Sequence, residues 1–222
     1  MSAVSLFSGG LTRWEAHGQW TGIYKRPVEG RQFLTVDGLA DDRQADRRVH
    51  GGPDKALHQY PVGHYVRLAT LFPTAADHLV VGSIGENVSA ADFDERGMCI
   101  GDIFLLGEAR LQVSQPRSPC WKIDQRYQTA GMAKAIAEHG WCGWYFRVLD
   151  EAWVASGDEL VLVERPPSAV PLAELWATCQ EHRPDPAALD RLASTPGLSI
   201  GWQKKLRQRQ QWLRTHAPRS DT

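Results

Sequence analysis

The chain has 222 residues, a formal net charge of −1 and a pI near 6.7. This length suits one domain, or one domain with an appendage. The near-neutral charge gives no general attraction to nucleic acid or to an anionic membrane surface, so any basic site has to be local. No segment approaches the ~18 consecutive apolar residues of a membrane span, and the N-terminus lacks the basic region of a secretory signal. We therefore expect a cytoplasmic protein.

Four cysteines occur without a CxxC pair, a pattern that disfavours a structural zinc site and a dense disulfide scaffold. We expect reduced thiols.

The first 163 residues alternate short β-like segments with glycine, proline and aspartate, which is typical of a barrel or a sandwich. Strands are predicted at 22–27, 32–36, 102–106, 109–114, 142–148 and 159–163. Gly107-Glu108 predicts a hairpin turn between the third and the fourth of them. Hydrophobic spacing predicts two helices, at 62–71 and 131–139, which would cover the barrel.

A proline pair at Arg165-Pro166-Pro167 marks a break in composition, after which the hydrophobic spacing becomes helical. We therefore predict domains at 1–165 and 166–222. The second would hold three short helices, at 171–182, 186–194 and 199–216, each entered near a proline or a serine. The last helix carries five basic residues, for which a solvated face and docking to an acidic partner are the alternatives: Lys204, Lys205, Arg207, Arg209 and Arg214.

The segment Gln115-Pro116-Arg117-Ser118-Pro119-Cys120-Trp121 is the most informative part of the chain. Each proline fixes its own φ and disfavours helix in the residue before it, so the loop is stiff. Arg117 is close enough in sequence to favour the thiolate of Cys120, the form that attacks electrophiles or binds soft metals. The alternative is a small buried hydrophobic residue without chemistry.

The segment 41–55 concentrates charge and turn residues. Gly51-Gly52-Pro53 permits a tight turn whose backbone N–H groups can face an anion, and Arg47 and Arg48 supply forked donors suited to phosphate. Alternatively, the arginines pair with Asp41, Asp42 and Asp46 of the same segment and do nothing more.

Two further polar residues are candidates for binding. Side chains alternate along a strand, so either Lys25 or Arg26 would face inward, and an inward lysine needs an anionic partner. Asn87 follows two glycines, and its amide can both donate and accept. An exposed lysine and an ordinary hairpin are the simpler interpretations.

Several common sites are disfavoured. The spacing of His50, His58 and His64 matches no zinc helix motif, and the chain has no GxSxG elbow, Walker A loop or GxGxxG fingerprint.

Four motifs, in this order, closely resemble MOSC-domain proteins of the YiiM type. They are Arg47-Arg48-Val49-His50-Gly51-Gly52-Pro53-Asp54-Lys55-Ala56-Leu57, Gly85-Glu86-Asn87, Gly101-Asp102 and Gln115-Pro116-Arg117-Ser118-Pro119-Cys120. The resemblance covers about residues 20 to 165, and the helical tail resembles the small domain that follows MOSC in this subfamily. It implies a mainly β fold: a MOSC-type β-barrel with a few covering helices, followed by a three-helix domain.

The resemblance also implies a bound molybdenum cofactor, Mo-molybdopterin, with a phosphate tail. Cys120 matches the family cysteine that ligates molybdenum. By position, the other candidate contacts are Lys25, Arg47, Arg48 and Arg117 for the phosphate and pterin, His50 and Asn87 for pterin edges, and Ser118 for a hydrogen bond beside the metal.

The implied activity is reduction of N-hydroxylated compounds such as hydroxylaminopurines. The chain has no flavin or NAD motif, so the implied electron donor is a separate NAD(P)H-dependent flavoprotein. Two alternatives use the same cysteine: a carrier of cofactor or sulfur, and a metal-free hydrolase that pairs Cys120 with His50 or another histidine. The proton donor is open between Asp124, a histidine and water.

Overall fold

The computed structural model describes residues 2–15, 18–46 and 51–216 of the chain. In chain order the strands are β1 Ser2–Ala3, β2 Ser5–Ser8, β3 Thr12–Trp14, β4 Gln19–Thr21, β5 Arg26–Pro27, β6 Arg31–Thr35, β7 Gly38–Leu39, β8 Leu57–Gln59, β9 Val88–Ser89, β10 Ile103–Leu106, β11 Ala109–Pro116, β12 Trp144–Asp150, β13 Ala152–Ala155 and β14 Glu159–Glu164. The helices are α1 Gly63–Leu71, α2 Lys122–Tyr127, α3 Met132–His139, α4 Leu172–Gln180, α5 Pro186–Ala193 and α6 Ile200–Thr215, with 3₁₀ segments at Pro53–Lys55 and Pro73–His78.

One mixed sheet of nine strands dominates the fold, in the order β1-β14-β10-β11-β12-β8-β9-β2-β5. The start of the chain joins its two ends. Ser2 of β1 pairs with Leu160 of β14, whereas Leu6 of β2 pairs with Val88 of β9. A single residue separates β1 from β2, so the sheet curls round on itself and leaves few free edges. The predicted β-barrel with a helical C-terminal region is confirmed.

The β10–β11 hairpin delivers the chain to Cys120. Leu106 and Ala109 pair across the turn, as predicted from Gly107-Glu108. Strand β11 continues two residues further than expected, to Pro116, which pairs with Trp144 of β12. A proline is tolerated at this point because it ends the strand. The strands predicted at 32–36, 142–148 and 159–163 are confirmed, with ends displaced by up to two residues.

The strand predicted at 22–27 is wrong for most of its length, because only Arg26–Pro27 pair, with β2. The preceding backbone bends against the chain that follows β7: a Cβ on Gly22 would lie 2.3 Å from the carbonyl oxygen of Arg43. Lys25 therefore lies in irregular chain, and strand alternation does not decide its direction.

All five predicted helices are confirmed within two residues at each end. Helix α1 ends before Pro73, and α3 is followed by Gly140 in the left-handed conformation, both ordinary stop signals. Helix α6 is capped by Ser199, whose hydroxyl accepts from the backbone N–H of Trp202. Helix α2, which begins just after Cys120, was not predicted because six residues are too few for a periodic pattern.

The C-terminal helices pack directly on the barrel. The buried apolar side chains of both parts form one continuous cluster. A Cβ on Gly101 would lie 2.5 Å from the Pro196 carbonyl oxygen, so no side chain fits between the parts at this point. Beside it, Arg165 Nη2, at the end of the barrel part, donates to the Asp102 carboxylate at 2.6 Å. The domain boundary at 165/166 remains a prediction. The buried apolar core continues from the barrel into the C-terminal helices. We call the contacts of Gly101, Asp102 and Arg165 the junction.

The basic side chains of α6 include one with a clear packing role. Both terminal nitrogens of Arg209 donate to backbone carbonyls at the end of α4, those of Cys179 and Glu181. This contact satisfies carbonyl groups that a helix end leaves without partners. Arg209 is thereby removed from the set available to an acidic partner.

Candidate functional site

A cleft of about 600 Å³, counting the solvent at its mouth, opens beside Cys120. Among the residues that the structure describes, five cationic side chains and one carboxylate line it. The charged and reactive residues are Lys25, Asp42, Arg43, Lys55, Arg117, Cys120 and Lys122; the remaining lining residues are Thr21, Gly22, Ile23, Gln44, Ala45, His58, Ile84, Gly85, Asn87 and Tyr145. For a chain of net charge −1, this is a strong local excess of positive charge.

Cys120 is held at both ends of its loop. The backbone N–H of Arg117 donates to the Gly143 carbonyl at 3.0 Å, and the Cys120 carbonyl accepts from the backbone N–H of Ile123 at 3.0 Å. The thiol is partly exposed, whereas Cys99 and Cys142 are buried. The stiff loop predicted from the two prolines is therefore closed by backbone hydrogen bonds, and it presents a sulfur to the cleft.

Arg117 and Tyr145 form the buried wall next to the thiol. Arg117 is only 6% exposed although it is charged. Burial raises the pKa of Tyr145, and a hydrogen bond from Arg117 opposes that shift. Cys120 is close enough to Tyr145 to raise its pKa further. A guanidinium desolvated in this way beside an open cleft is suited to binding an anion.

Lys25, a predicted contact of the cofactor, lines the cleft, but its positive charge is paired with the carboxylate of Asp42. Its ammonium donates to both carboxylate oxygens of Asp42 at 2.6 Å, and the two side chains are 5% and 1% exposed. Burial lowers the pKa of Lys25, and the charge of Asp42 opposes that shift. The pair leaves one ammonium N–H for a ligand. Asp42 is also one of the carboxylates considered as partners of Arg47 and Arg48, which lie outside the described residues.

The other predicted contacts are in mixed positions. Asn87 lines the cleft, but its side-chain oxygen accepts from the His58 backbone N–H at 3.1 Å and its amide donates to the Phe7 carbonyl at 3.2 Å. The amide therefore has one N–H left for a ligand. Ser118 is exposed and does not line the cleft. Arg47, Arg48 and His50 lie outside the described residues.

Three cationic residues of the cleft were missed by sequence reasoning: Arg43, Lys55 and Lys122. Lys122 follows Cys120 by two positions, so proximity to the loop was the available signal. Burial lowers the pKa of Lys55, and the nearby charge of Asp54 opposes that shift. In sequence, Arg43 and Lys55 lie on either side of the segment in which phosphate-binding arginines were predicted.

The donor set favours one type of metal ligand. In the described ranges, no group of three or more histidine, cysteine or acidic side chains could hold a metal ion. A lone thiolate can complete the coordination of a soft metal that brings its own ligands. No helix in these ranges is long and apolar enough to cross a bilayer.

Comparison with known proteins gives a consistent result. The MOSC domain family matches residues 46–161. Protein YiiM of Escherichia coli (strain K12) is 37% identical over 206 residues, which cover 93% of this chain and 91% of YiiM. A protein of Gibberella moniliformis (strain M3125 / FGSC 7600) named reductase is 37% identical over 145 residues, which cover 65% of this chain and 26% of that protein.

Solved structures agree with the sequence relatives. The crystal structure of YiiM from E. coli has a TM-score of 0.81 at 32% identity and covers 95% of this chain and 92% of that one. The crystal structure of YiiM from Geobacillus stearothermophilus has a TM-score of 0.78 at 32% identity, with coverages of 93% and 97%. The chain belongs to the MOSC-domain family and is a homologue of YiiM.

Proposed function

We propose that the protein is a molybdenum-cofactor-dependent reductase of N-hydroxylated compounds of the hydroxylaminopurine type. One observation carries the proposal: a partly exposed thiol, Cys120, opens into a cleft lined by five cationic side chains and one carboxylate. The family membership and the relative named reductase support the same reading.

The residues present fit the cofactor. Cys120 supplies the soft sulfur ligand, and Arg117 supplies a desolvated guanidinium whose fork matches a phosphate group. Lys122 and Lys55 add positive charge that would attract the anionic tail. Lys25, paired with Asp42, contributes a directed N–H donor more than a net charge. When bound, the cofactor supplies a two-electron redox centre.

The reaction breaks the N–O bond of the substrate. A hydroxylamine takes up two electrons and two protons and yields an amine and water. The chain's part is to orient the substrate and to supply protons. Asp124 is a poor donor, because its carboxylate accepts from the backbone N–H groups of Gly131 at 2.9 Å and Ala133 at 2.7 Å. His58, which lines the cleft, and water are the donors we propose instead.

The electrons are proposed to come from a separate NAD(P)H-dependent flavoprotein, since the chain has no nucleotide-binding fingerprint of its own. A chemical reductant such as reduced methyl viologen replaces this partner in the test. Activity would then depend on the chain and its cofactor alone.

The test compares Cys120→Ser with Cys179→Ser, a second cysteine that is partly exposed but lies on α4. We expect Cys120→Ser to lose reduction of 6-hydroxylaminopurine and Cys179→Ser to retain it, with unchanged circular dichroism in both. Full activity of Cys120→Ser would contradict the proposal. Release of bound cofactor to an acceptor apoenzyme, with no reduction of any N-hydroxylated compound, would favour the carrier alternative.

A further inference from the structure

We infer that Glu95 is a positioning residue, which holds the Cys120 loop in place through the turn at residues 140–143. We call this segment the Gly143 turn. Glu95 does not line the cleft, and no sequence motif singled it out. The inference deepens the proposed function: its consequence for the metal ligand rests on that function, whereas the placement of the loop does not.

Glu95 carries a buried carboxylate that lies between two donors. One carboxylate oxygen accepts from the backbone N–H of Gly143 at 2.7 Å. The Nε2 atom of His64, which is also buried, lies 2.8 Å from the other oxygen and 3.1 Å from the first. A carboxylate only accepts hydrogen bonds, so His64 donates through Nε2. Hydrogen bonds to a carboxylate are stronger than those between neutral groups, so Glu95 fixes both donors firmly.

Gly143 connects Glu95 to the Cys120 loop. Its carbonyl accepts from the backbone N–H of Arg117 at 3.0 Å, so Gly143 is bonded to Glu95 through its N–H and to the loop through its carbonyl. Arg117 lies three positions before Cys120, and Pro119 stiffens the segment between them. A displacement of Gly143 should therefore displace the thiol.

Other contacts keep the Gly143 turn folded. Gly143 has φ +66°, and a Cβ at this position would lie 2.3 Å from the carbonyl oxygen of Gln59 in β8. Trp141 stacks on the ring of His64, with the ring centres 5.9 Å apart and an angle of 25°. Trp176 Nε1, from α4, donates at 2.7 Å to a backbone carbonyl near the end of α3. A change of the Glu95 carboxylate should therefore act on the local position of Gly143 and leave the turn itself in place.

A glutamine at position 95 separates the role of the carboxylate from that of side-chain size. Glutamine has nearly the same shape but only one accepting oxygen. If that oxygen accepts from one of Gly143 and His64, the amide N–H groups face the other donor. The loss of a buried hydrogen bond shifts a local equilibrium by about 5- to 150-fold. The Cys120 loop should then open more often and hold its thiol less firmly for a metal.

Hydrogen exchange of the Arg117 amide, followed by NMR in the full-length chain without cofactor, tests the placement of the loop. This N–H donates to Gly143, so its protection reports how often the contact opens. We expect Glu95→Gln to reduce the protection by about 5- to 150-fold, and unchanged protection would overturn the inference. If Glu95→Gln does not fold, the same prediction and the same refutation apply to Glu95→Asp, which keeps the charge but withdraws both oxygens by one methylene group.

Asp102→Asn is the matched control. Asp102 is also a buried carboxylate that accepts from a backbone N–H, that of Cys99 at 2.9 Å, but its second partner is Arg165 at the junction. Both variants should lower the stability of the fold, whereas only Glu95→Gln should lower the protection of the Arg117 amide. An equal loss of protection in both variants would mean that Glu95 stabilises the fold without a particular role at the loop, which would refute the inference.

Retention of molybdenum tests the consequence for the ligand. Loaded wild type, Glu95→Gln and Asp102→Asn would be dialysed, and the metal that remains would be measured over time. Groups that orient a metal ligand typically change metal affinity by about 10- to 100-fold, so Glu95→Gln should release molybdenum correspondingly faster and Asp102→Asn at the wild-type rate. Release at the wild-type rate from Glu95→Gln would overturn the link to the ligand. A wild type that binds no molybdenum contradicts the proposed function, and the exchange of the Arg117 amide still decides the placement of the loop.

Discussion

The Cys120 cleft and the junction both contain polar residues of the sequence motifs. The two regions differ in what the polar atoms of these residues contact. In the cleft, a partly exposed thiol and a largely buried guanidinium border open space. At the junction, the carboxylate of Asp102 is fully buried and accepts from Arg165 and from the backbone N–H of Cys99. A motif residue can therefore bind a ligand where its hydrogen-bonding groups face open space. It stabilises the fold where those groups are already bonded to other parts of the protein.

The Gly85-Glu86-Asn87 motif combines both situations. One carboxylate oxygen of Glu86 accepts from the Tyr65 hydroxyl at 2.6 Å, the Gly82 N–H at 2.7 Å and the Ser89 hydroxyl at 2.8 Å. Glu86 is fully buried and does not line the cleft, so these three hydrogen bonds serve the fold around it. Its neighbour Asn87 faces the cleft with one N–H remaining.

The largest effect on stability is expected at the Lys25–Asp42 pair. Lys25→Met leaves a buried carboxylate without its counter-charge, which costs about 3–5 kcal/mol. Urea denaturation measures the free energy of unfolding. The matched control is Lys134→Met, since Lys134 and its partner Glu138 are both largely exposed, and it should change that free energy by about 0–1 kcal/mol.

The double variant Lys25→Met/Asp42→Asn sharpens this result. Removing both charges should restore much of the lost stability, because the uncompensated carboxylate is gone. A single variant Lys25→Met as stable as the wild type would contradict the pairing and would return Lys25 to the set of free cations in the cleft.

An intermediate effect is expected at the junction. Gly101 has φ +85° and faces the Pro196 carbonyl, whereas Gly131 has φ +88° with open space around its Cβ position. Both alanine variants incur the left-handed strain of about 1–2 kcal/mol. Gly101→Ala should be less stable than Gly131→Ala by at least about another 1 kcal/mol, since its methyl group also collides with the tail.

The comparison predicts that Gly101→Ala loses stability and keeps the cofactor site. Thermal denaturation measures the first quantity, and the molybdenum content of folded protein measures the second. Equal stability of the two glycine variants would mean that the tail is not closely packed against Gly101.

The smallest effect concerns pH. Burial raises the pKa of Glu86 above its ordinary value near 4.5. The folded chain therefore holds a proton that the unfolded chain has released, so stability falls as pH rises from about 4.5 toward the folded pKa. Glu86→Gln should flatten this fall, by at most about 1.4 kcal/mol per pH unit.

Unfolding free energies between pH 4.5 and 8 test this expectation. Glu138→Gln, which changes an exposed carboxyl on α3, should keep the wild-type slope. A wild-type stability that rises over this interval, with the same rise in Glu86→Gln, would contradict the assigned shift.

Local signals predicted much of the fold. The hairpin that leads to Cys120 was predicted from turn residues, the stiffness of its loop from two prolines, and five of the helices from hydrophobic spacing. Contacts between distant segments could not be predicted in this way. The barrel closes because Ser2 pairs with Leu160, far away in sequence. Lys25 forms its ion pair with Asp42 from irregular chain, where no periodic pattern predicts the direction of a side chain.

Molybdenum content tests the central claim most directly. Wild type, Cys120→Ala and Cys179→Ala would be purified from a host that makes the cofactor, alongside a control molybdoenzyme, and analysed for metal. We predict near-stoichiometric molybdenum in the wild type and in Cys179→Ala, and its loss in Cys120→Ala. Full metal content in Cys120→Ala, or none in the wild type while the control enzyme is loaded, would contradict the assignment of Cys120 as the ligand.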